Sequence, residues 1–293
     1  MLVRHAIALP CIVHGYDPVS KRVKTIKTAF PSFIPHPTLE HLFADTSVGA
    51  VIVATPPATH YALAAAALAH GKHVLVEKPL TQNGRDARLL VTAAKRTDRL
   101  LMTDHTFCYS PAVIKAKQLI GKGVIGSLIR IESVRNGGRP IPESTALWDL
   151  GVHDVALAHL LLPTPPVRIQ TLASPTQNTD IAHFILANSS GIAYYGSVNW
   201  TQPIRERRLT LVGSTGSLTI TWDGPRELLM RTYRGKTARI VTPRREPLTM
   251  MLATFLARIR THDTAPGIYE ERIITCLEAL HYSWRSGTVR RIA

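Results

Sequence analysis

Asp149 and His153, in the run LWDLGVHD, carry the sharpest chemical signal in this chain. On an α-helix, residues four apart share a face. The carboxylate can then orient or charge-stabilise the imidazole, which leaves His153 poised for proton transfer near neutral pH. Taken alone, an aspartate capping a helix ahead of a core histidine is the plainer reading of the same pair. A second reactive group is Lys78, in Glu77-Lys78-Pro79 directly after the apolar run HVLV. Ligands of open α/β sheets bind at the carboxyl ends of buried strands. A lysine there can polarise a hydroxyl or carbonyl oxygen, and the proline fixes its turn. An ordinary turn with a solvated lysine fits the bare position at least as well.

Thr55-Pro56-Pro57-Ala58-Thr59-His60 follows another apolar run and opens a helical stretch. Its prolines fix the backbone and its hydroxyls and amides can meet a ribose or an amide ring, although Pro and Thr are common at helix starts. Asp17 ends the first β-type run, where an acidic residue would bind an adenosine ribose 2′-OH; capping the next helix explains it equally well. The stretch from Gly121 to Gly126 matches G-x-G-x-x-G literally. It follows a helix and precedes a strand, the reverse of the order that phosphate binding needs, and reads as a connecting loop.

These residues have to be placed by alternating elements. Strands are expected at Cys11 to Tyr16, 51–54, His73 to Val76 and Leu100 to Thr103, with helices at 18–29, 58–70 and 84–96 between them. Short apolar runs separated by helices predict a parallel sheet covered on both faces. A helix at 111–120, a strand at 128–135 and a helix at 149–162 follow. Seven further β-type runs between 167 and 242 suggest a largely antiparallel sheet, and two helices, 247–261 and 269–286, close the chain. The fold class is α/β, with an incomplete dinucleotide-type domain over 1–109 and a substrate and oligomerisation domain over 110–293.

At 293 residues and 45% apolar composition the chain is long enough for a substantial core. It holds no apolar run of the roughly 18 residues that span a bilayer and no signal-peptide pattern, so a cytoplasmic protein is expected. Cys11, Cys108 and Cys276 lie far apart without metal-ligand spacing and read as reduced thiols; no metal site is expected. The net charge of +15 is spread, with modest clusters at Arg205-Arg207-Arg208, Arg244-Arg245 and Arg290-Arg291. A nucleic-acid binder would gather such charge into a stripe; a basic surface that aids solubility, or one that suits an anionic substrate, is the better reading.

Five segments together resemble the glucose–fructose oxidoreductase / inositol dehydrogenase (Gfo/Idh/MocA) family: VIVATPPATHY (51–61), GKHVLVEKPL (71–80), HTFCYSPAV (105–113), LWDLGVHD (147–154) and NWTQPIRERRLTLVGSTGSL (199–218). The last three look most like the branch acting on nucleotide-linked or amino sugars. The resemblance implies a Rossmann domain followed by a domain with an open-faced sheet that often forms dimer or tetramer contacts. It implies NAD, with NADP the less favoured cofactor, and hydride transfer at a sugar or nucleotide-sugar carbon. It makes His153 the acid/base, Lys78 its electrostatic partner and Asp149 the orienter; which of Lys78 and His153 moves the proton stays open. Asp17, Thr55, Pro56, His60, Glu77 and Lys78 would line the cofactor. His105, Tyr109, Arg135, Asn136 and Trp148 are substrate-pocket candidates.

One departure accompanies the match. Members of the family begin with a strand and a Gly-rich turn ahead of the position of Met1, and MLVRHAIALP already reads as the end of the following helix. The intact catalytic set favours a start lying upstream over a truly shortened protein. The alternative to an enzyme is an impaired family member that binds a sugar or a protein partner.

Overall fold

The computed structural model describes residues 2–292 except 139, 142–143, 173–179, 223–226 and 266–269. The chain divides into two compact units: residues 1–106 with 246–270, and residues 107–245 with 271–293. The expected division after residue 109 therefore moves to 106/107, and a late segment returns to the first unit.

The first unit alternates α1 (Leu2–Ile7), β1 (His14–Gly15), α2 (Ser20–Ala29), β2 (Ile34–Pro35), α3 (Leu39–Ala44), β3 (Ala50–Val53), α4 (His60–Ala69), β4 (His73–Val76), α5 (Gly84–Thr97) and β5 (Leu101–Thr103). All pairings are parallel. Among the described residues the strands form two pieces, β1-β2 and β3-β4-β5. Val74, Leu75 and Val76 are wholly buried, as a strand covered on both faces requires; each such side chain contributes about 1.5–3 kcal/mol. Small residues Ala64 and Ala67 let α4 lie close to the sheet, while α5 begins with Asn83, whose side-chain oxygen accepts from the Asp86 N–H at 2.8 Å. The strand expected from Cys11 to Tyr16 shrinks to His14–Gly15, and Ile12 is exposed. The sequence reading missed β2 and α3, which are too short to show a period.

The second unit opens with α6 (Pro111–Gly121) and β6 (Leu128–Asn136). A π-helical turn (Leu147–Gly151) then runs directly into α7 (Val152–Leu161). Next come β7 (Pro166–Leu172), β8 (Ile181–Asn188), β9 (Ala193–Asn199), β10 (Glu206–Gly213), β11 (Gly216–Thr221), β12 (Leu228–Tyr233) and β13 (Lys236–Ile240). Helix α8 (Pro247–Arg260) packs on α1 of the first unit, where His5 Nδ1 and Thr249 Oγ1 are hydrogen-bonded at 2.9 Å. Helix α9 (Glu270–Ser286) and β14 (Arg290–Arg291) close the chain.

Nine of these strands form one sheet among the described residues, in the order β13-β12-β11-β10-β6-β9-β8-β7-β14. Every pairing is antiparallel except β6 with β9. Leu209, Leu211, Leu218 and Ile220 are buried on one face while Thr210 and Thr219 look the other way, the period of a half-covered sheet. The literal G-x-G-x-x-G run is the loop from α6 to β6. There Gly126 has φ +73, and a Cβ would lie 2.2 Å from Ser214 Oγ, so a turn and a close approach explain that glycine without any phosphate. No helix of the described residues is long and apolar enough to cross a membrane.

Candidate active site

In the first unit the reactive side chains gather where β3, β4 and β5 end. The chain leaves each strand in step with its neighbour: the Glu77 N–H donates to Val53 O at 2.9 Å, and the Asp104 N–H to Val76 O at 2.8 Å. Residues 54–59, which include Thr55 and Pro56, are exposed at the end of β3. Thr59 Oγ1 donates to Thr55 Oγ1 at 2.7 Å and also contacts Pro56 O at 2.8 Å, closing the turn on itself.

His60 was expected to line the cofactor, but its side chain is fully buried behind these turns. Its Nδ1 lies 2.7 Å from Pro79 O and its Nε2 2.8 Å from Thr55 O. With both nitrogens engaged by main-chain carbonyls, His60 ties the Thr55 turn to the Lys78 turn and offers no edge to a ligand. Lys78 is half-buried, and the Lys78–Pro79 peptide is cis.

Glu77 and Asp104 stand at the ends of adjacent strands. Burial pushes the Glu77 carboxyl up, and the neighbouring Asp104 charge adds to this; burial likewise pushes Asp104 up. The Lys78 ammonium pulls both back down. Asp104 also accepts from the Thr106 N–H at 2.9 Å and from the Thr106 hydroxyl. This aspartate was missed from the sequence, although its place immediately after a buried strand, level with Glu77, was a signal. His105 beside it is nearly buried. Asp17, two residues after β1, accepts from the Val19 N–H at 2.8 Å and from Arg22 at 3.4 Å, which closes a turn ahead of α2 whose cap residue is Val19.

In the second unit Asp149 does not cap a helix, contrary to one of the two expectations. It lies within the π turn, its own N–H donating to Thr145 O at 2.9 Å, and it is the Thr145 hydroxyl that accepts a main-chain N–H at the start of that turn. Such widened turns recur at functional sites. Oδ2 of Asp149 accepts from the indole N–H of Trp200 at 3.1 Å. His153, one turn on, is half-buried and meets the Phe107 ring edge-on, with centroids 4.9 Å apart. Trp222 abuts Phe107 at 5.3 Å, and the Arg135 guanidinium lies over it at 4.2 Å.

Arg135, expected in the substrate pocket, is 2% exposed and bound to Asp154, its Nε 2.8 Å from Oδ1. The same oxygen accepts from Ser133 Oγ at 2.7 Å and Tyr194 Oη at 2.8 Å. A carboxylate buried this completely needs such donors. The group holds α7, β6 and β9 together beneath His153, and Arg135 serves it as a support and not as a surface contact. Neither Asp154 nor Phe107 was singled out from the sequence. Tyr109 ends a 3₁₀ turn, Asn136 ends β6 with its amide 3.4 Å from Glu206, and Trp148 lies half-buried in the π turn with its N–H on Thr145 Oγ1 at 3.2 Å.

Most of these residues, including Lys78, Asp149 and His153, fall within two matching family models. The oxidoreductase family with an NAD-binding Rossmann fold matches residues 5–105, and the GFO/IDH/MocA C-terminal domain matches residues 113–219. The chain belongs to the Gfo/Idh/MocA oxidoreductase family. It is 33% identical to an uncharacterized oxidoreductase of Escherichia coli, YdgJ, over 55% of this chain and 51% of that one. It is 35% identical to inositol 2-dehydrogenase 2 of Saccharopolyspora erythraea, over 41% of this chain and 37% of that one. The chain thus spans about half the length, or less, of these curated relatives. A solved 3-ketoreductase from Actinomadura kijaniata, in complex with NADP and TDP-benzene, has a similar fold. Its TM-score is 0.82 at 19% identity, over 96% of this chain and 93% of that one.

Proposed function

We propose that this chain is an NAD(P)-dependent oxidoreductase that moves a hydride between a nicotinamide cofactor and a hydroxyl or keto carbon of a sugar or nucleotide-sugar. The observation that carries the reading is the convergence of Thr55, Glu77, Lys78 and Asp104 on the carboxyl ends of three adjacent parallel strands, the position at which open α/β sheets bind ligands.

The exposed Thr55-Pro56 turn and the half-buried Lys78 suit the nicotinamide end of a dinucleotide, and Asp17 suits the ribose end. An acid at that point favours NAD over NADP, since it would accept from a 2′-OH and repel a 2′-phosphate. When bound, the cofactor supplies the hydride acceptor or donor. The chain supplies the proton chemistry. A secondary alcohol loses a hydride readily only as its oxygen sheds a proton, so a base must face that oxygen. His153 is assigned this proton, and Asp149, whose carboxylate is held by Trp200, is assigned as its orienter. Lys78 stabilises negative charge growing on the substrate oxygen. Glu77 and Asp104 behind it keep the ammonium compensated. Tyr109, Asn136 and Trp148 are assigned to the sugar, and the half-covered sheet of the second unit to a homodimer or homotetramer contact.

The test is turnover of a panel of inositols, aldoses and nucleotide-sugars with each cofactor, comparing wild type with Lys78→Ala. Removal of one preorganised charge should cost on the order of 10²–10³-fold in kcat. Undiminished turnover in the variant removes Lys78 from the mechanism. Absence of turnover and of cofactor binding in the wild type favours a sugar- or protein-binding role.

A further inference from the structure

We propose that His14, His36 and Asp45, in the first unit, form a binding site for a divalent transition-metal ion, with zinc the best fit. The site is invisible to a reading of spacings, because the three residues come from different stretches of chain and match no ligand pattern. The fold brings them together. In the parallel pairing of β1 with β2, His14 sits opposite Ile34, and His36 follows two residues on, so its side chain leaves the same face. The His36 N–H donates to Gly15 O at 2.9 Å, which fixes that register. Asp45 stops α3 and turns its carboxylate toward the two rings.

The geometry is that of ligands around a common point. His14 Nδ1 and His36 Nε2 are 2.9 Å apart, and Asp45 Oδ2 is 3.6 Å from each. A triangle with those sides has its centre about 2.0 Å from every corner, which is the length of a zinc–nitrogen or zinc–oxygen bond. An ion lifted slightly from the plane of the three atoms keeps that distance and leaves a further coordination position open. The three side chains are 13%, 12% and 28% exposed, shielded yet reachable by a hydrated ion.

The carboxylate is also held for the task. Its other oxygen, Oδ1, accepts from the Ser47 N–H at 2.8 Å and from Ser47 Oγ at 2.6 Å, which leaves Oδ2 facing the imidazoles. Partners that orient ligands in this way are part of how metal sites are built. Lys72 is the neighbouring cation, and its ammonium is taken up by the Asp45 carbonyl at 2.7 Å. Two imidazoles and one carboxylate suit zinc, copper and nickel, and disfavour calcium and magnesium, which prefer all-oxygen shells. A bound ion would clip together β1, β2 and α3, elements of two, two and six residues.

The experiment uses the untagged 293-residue protein, stripped with a chelator and titrated with Zn²⁺ by calorimetry and with Co²⁺ by visible absorption. The expected result is one ion per chain, a raised melting temperature, and loss of affinity on the order of 100-fold in both His36→Gln and Asp45→Asn. Ser47→Ala should weaken binding roughly tenfold through the freed carboxylate. His41→Gln, outside the cluster, should bind as wild type does. Circular dichroism confirms that each variant is folded before titration. Equal zinc affinity in wild type, His36→Gln and Asp45→Asn would overturn the proposal, as would the absence of stoichiometric binding in the wild type. Either leaves the cluster a hydrogen-bonded histidine pair beside a carboxylate.

Discussion

Trp200 and Asp149 are joined by a hydrogen bond of 3.1 Å from the indole Nε1 to the carboxylate Oδ2. Trp200 follows β9 directly and is nearly buried, so it fixes a carboxylate of the π turn to the rim of the large sheet. A hydrogen bond to a charged acceptor contributes about 1.5–3 kcal/mol. Trp200→Phe is expected to lose about that much in urea unfolding. In the proposed mechanism it also shifts the pH–rate profile, because the carboxylate assigned to orient His153 loses its anchor. A variant that loses stability and keeps its pH profile would make the bond purely structural.

Asp154 is the centre of the second unit's polar interior, with Ser133, Arg135 and Tyr194 all donating to one oxygen. Burial and the Asp154 charge hold the Tyr194 phenol well above its ordinary range, so it stays a donor. Asp154→Asn leaves the Arg135 guanidinium buried without its counter-charge and should cost about 3–5 kcal/mol. Tyr194→Phe, which removes one donor of three, should cost about 1 kcal/mol. Denaturant unfolding of both variants and of the double variant measures the coupling.

Two buried groups give opposite pH dependences of stability. Burial pushes Glu270, held by Thr103, up from 4.5 to about 7. The folded protein therefore keeps a proton there that the unfolded chain has lost. The stability is full below 4.5 and is lost as pH rises through 7. Burial pushes His159 down from 6.5 to about 4, with its Nδ1–H on Val155 O. That stability is present above 6.5 and is lost as pH falls through 4. Each amounts to about 3 kcal/mol at full extent, and across the shared window they offset. Urea midpoints against pH should accordingly show a steeper rise with pH for Glu270→Gln than for wild type, and a steeper fall for His159→Gln. Parallel profiles for all three proteins would contradict the assignment.

His60 bridges two turns through main-chain carbonyls. His60→Ala frees both carbonyls inside the first unit and should cost about 2–3 kcal/mol. If the bridge positions Lys78, cofactor KM rises more than kcat falls, because the variant loosens the turn without removing the ammonium. An effect on kcat equal to that of Lys78→Ala would instead put His60 in contact with the reacting atoms.

Most of the framework was legible because apolar periodicity reports it directly. HVLV and the Ala-rich run after Thr59 became β4 and α4, and the antiparallel series from 167 onward fell within a residue or two of the observed strands. What escaped was set by tertiary contact. β2 and α3 are too short for a period. The return of α8 to the first unit depends on packing against α1. The i, i+4 reading of Asp149 and His153 assumed an α-helix where the chain makes a π turn. Arg135 and His60 looked available because their residue types often bind ligands, yet both are buried, Arg135 with its Nε on Asp154 and His60 with its ring between the Thr55 and Pro79 carbonyls. Asp154, adjacent to His153, could be recognised as a hub only once Ser133 and Tyr194 were brought beside it.

The central claim is a nicotinamide dinucleotide held at the carboxyl ends of β3, β4 and β5. Fluorescence titration of the folded 293-residue chain with NADH and NADPH tests it most directly. Saturable binding of one cofactor per chain is expected, tighter for NADH, and weakened by Lys78→Ala and by Asp17→Ala. No saturable signal with either cofactor, in protein shown by circular dichroism to be folded, would contradict it.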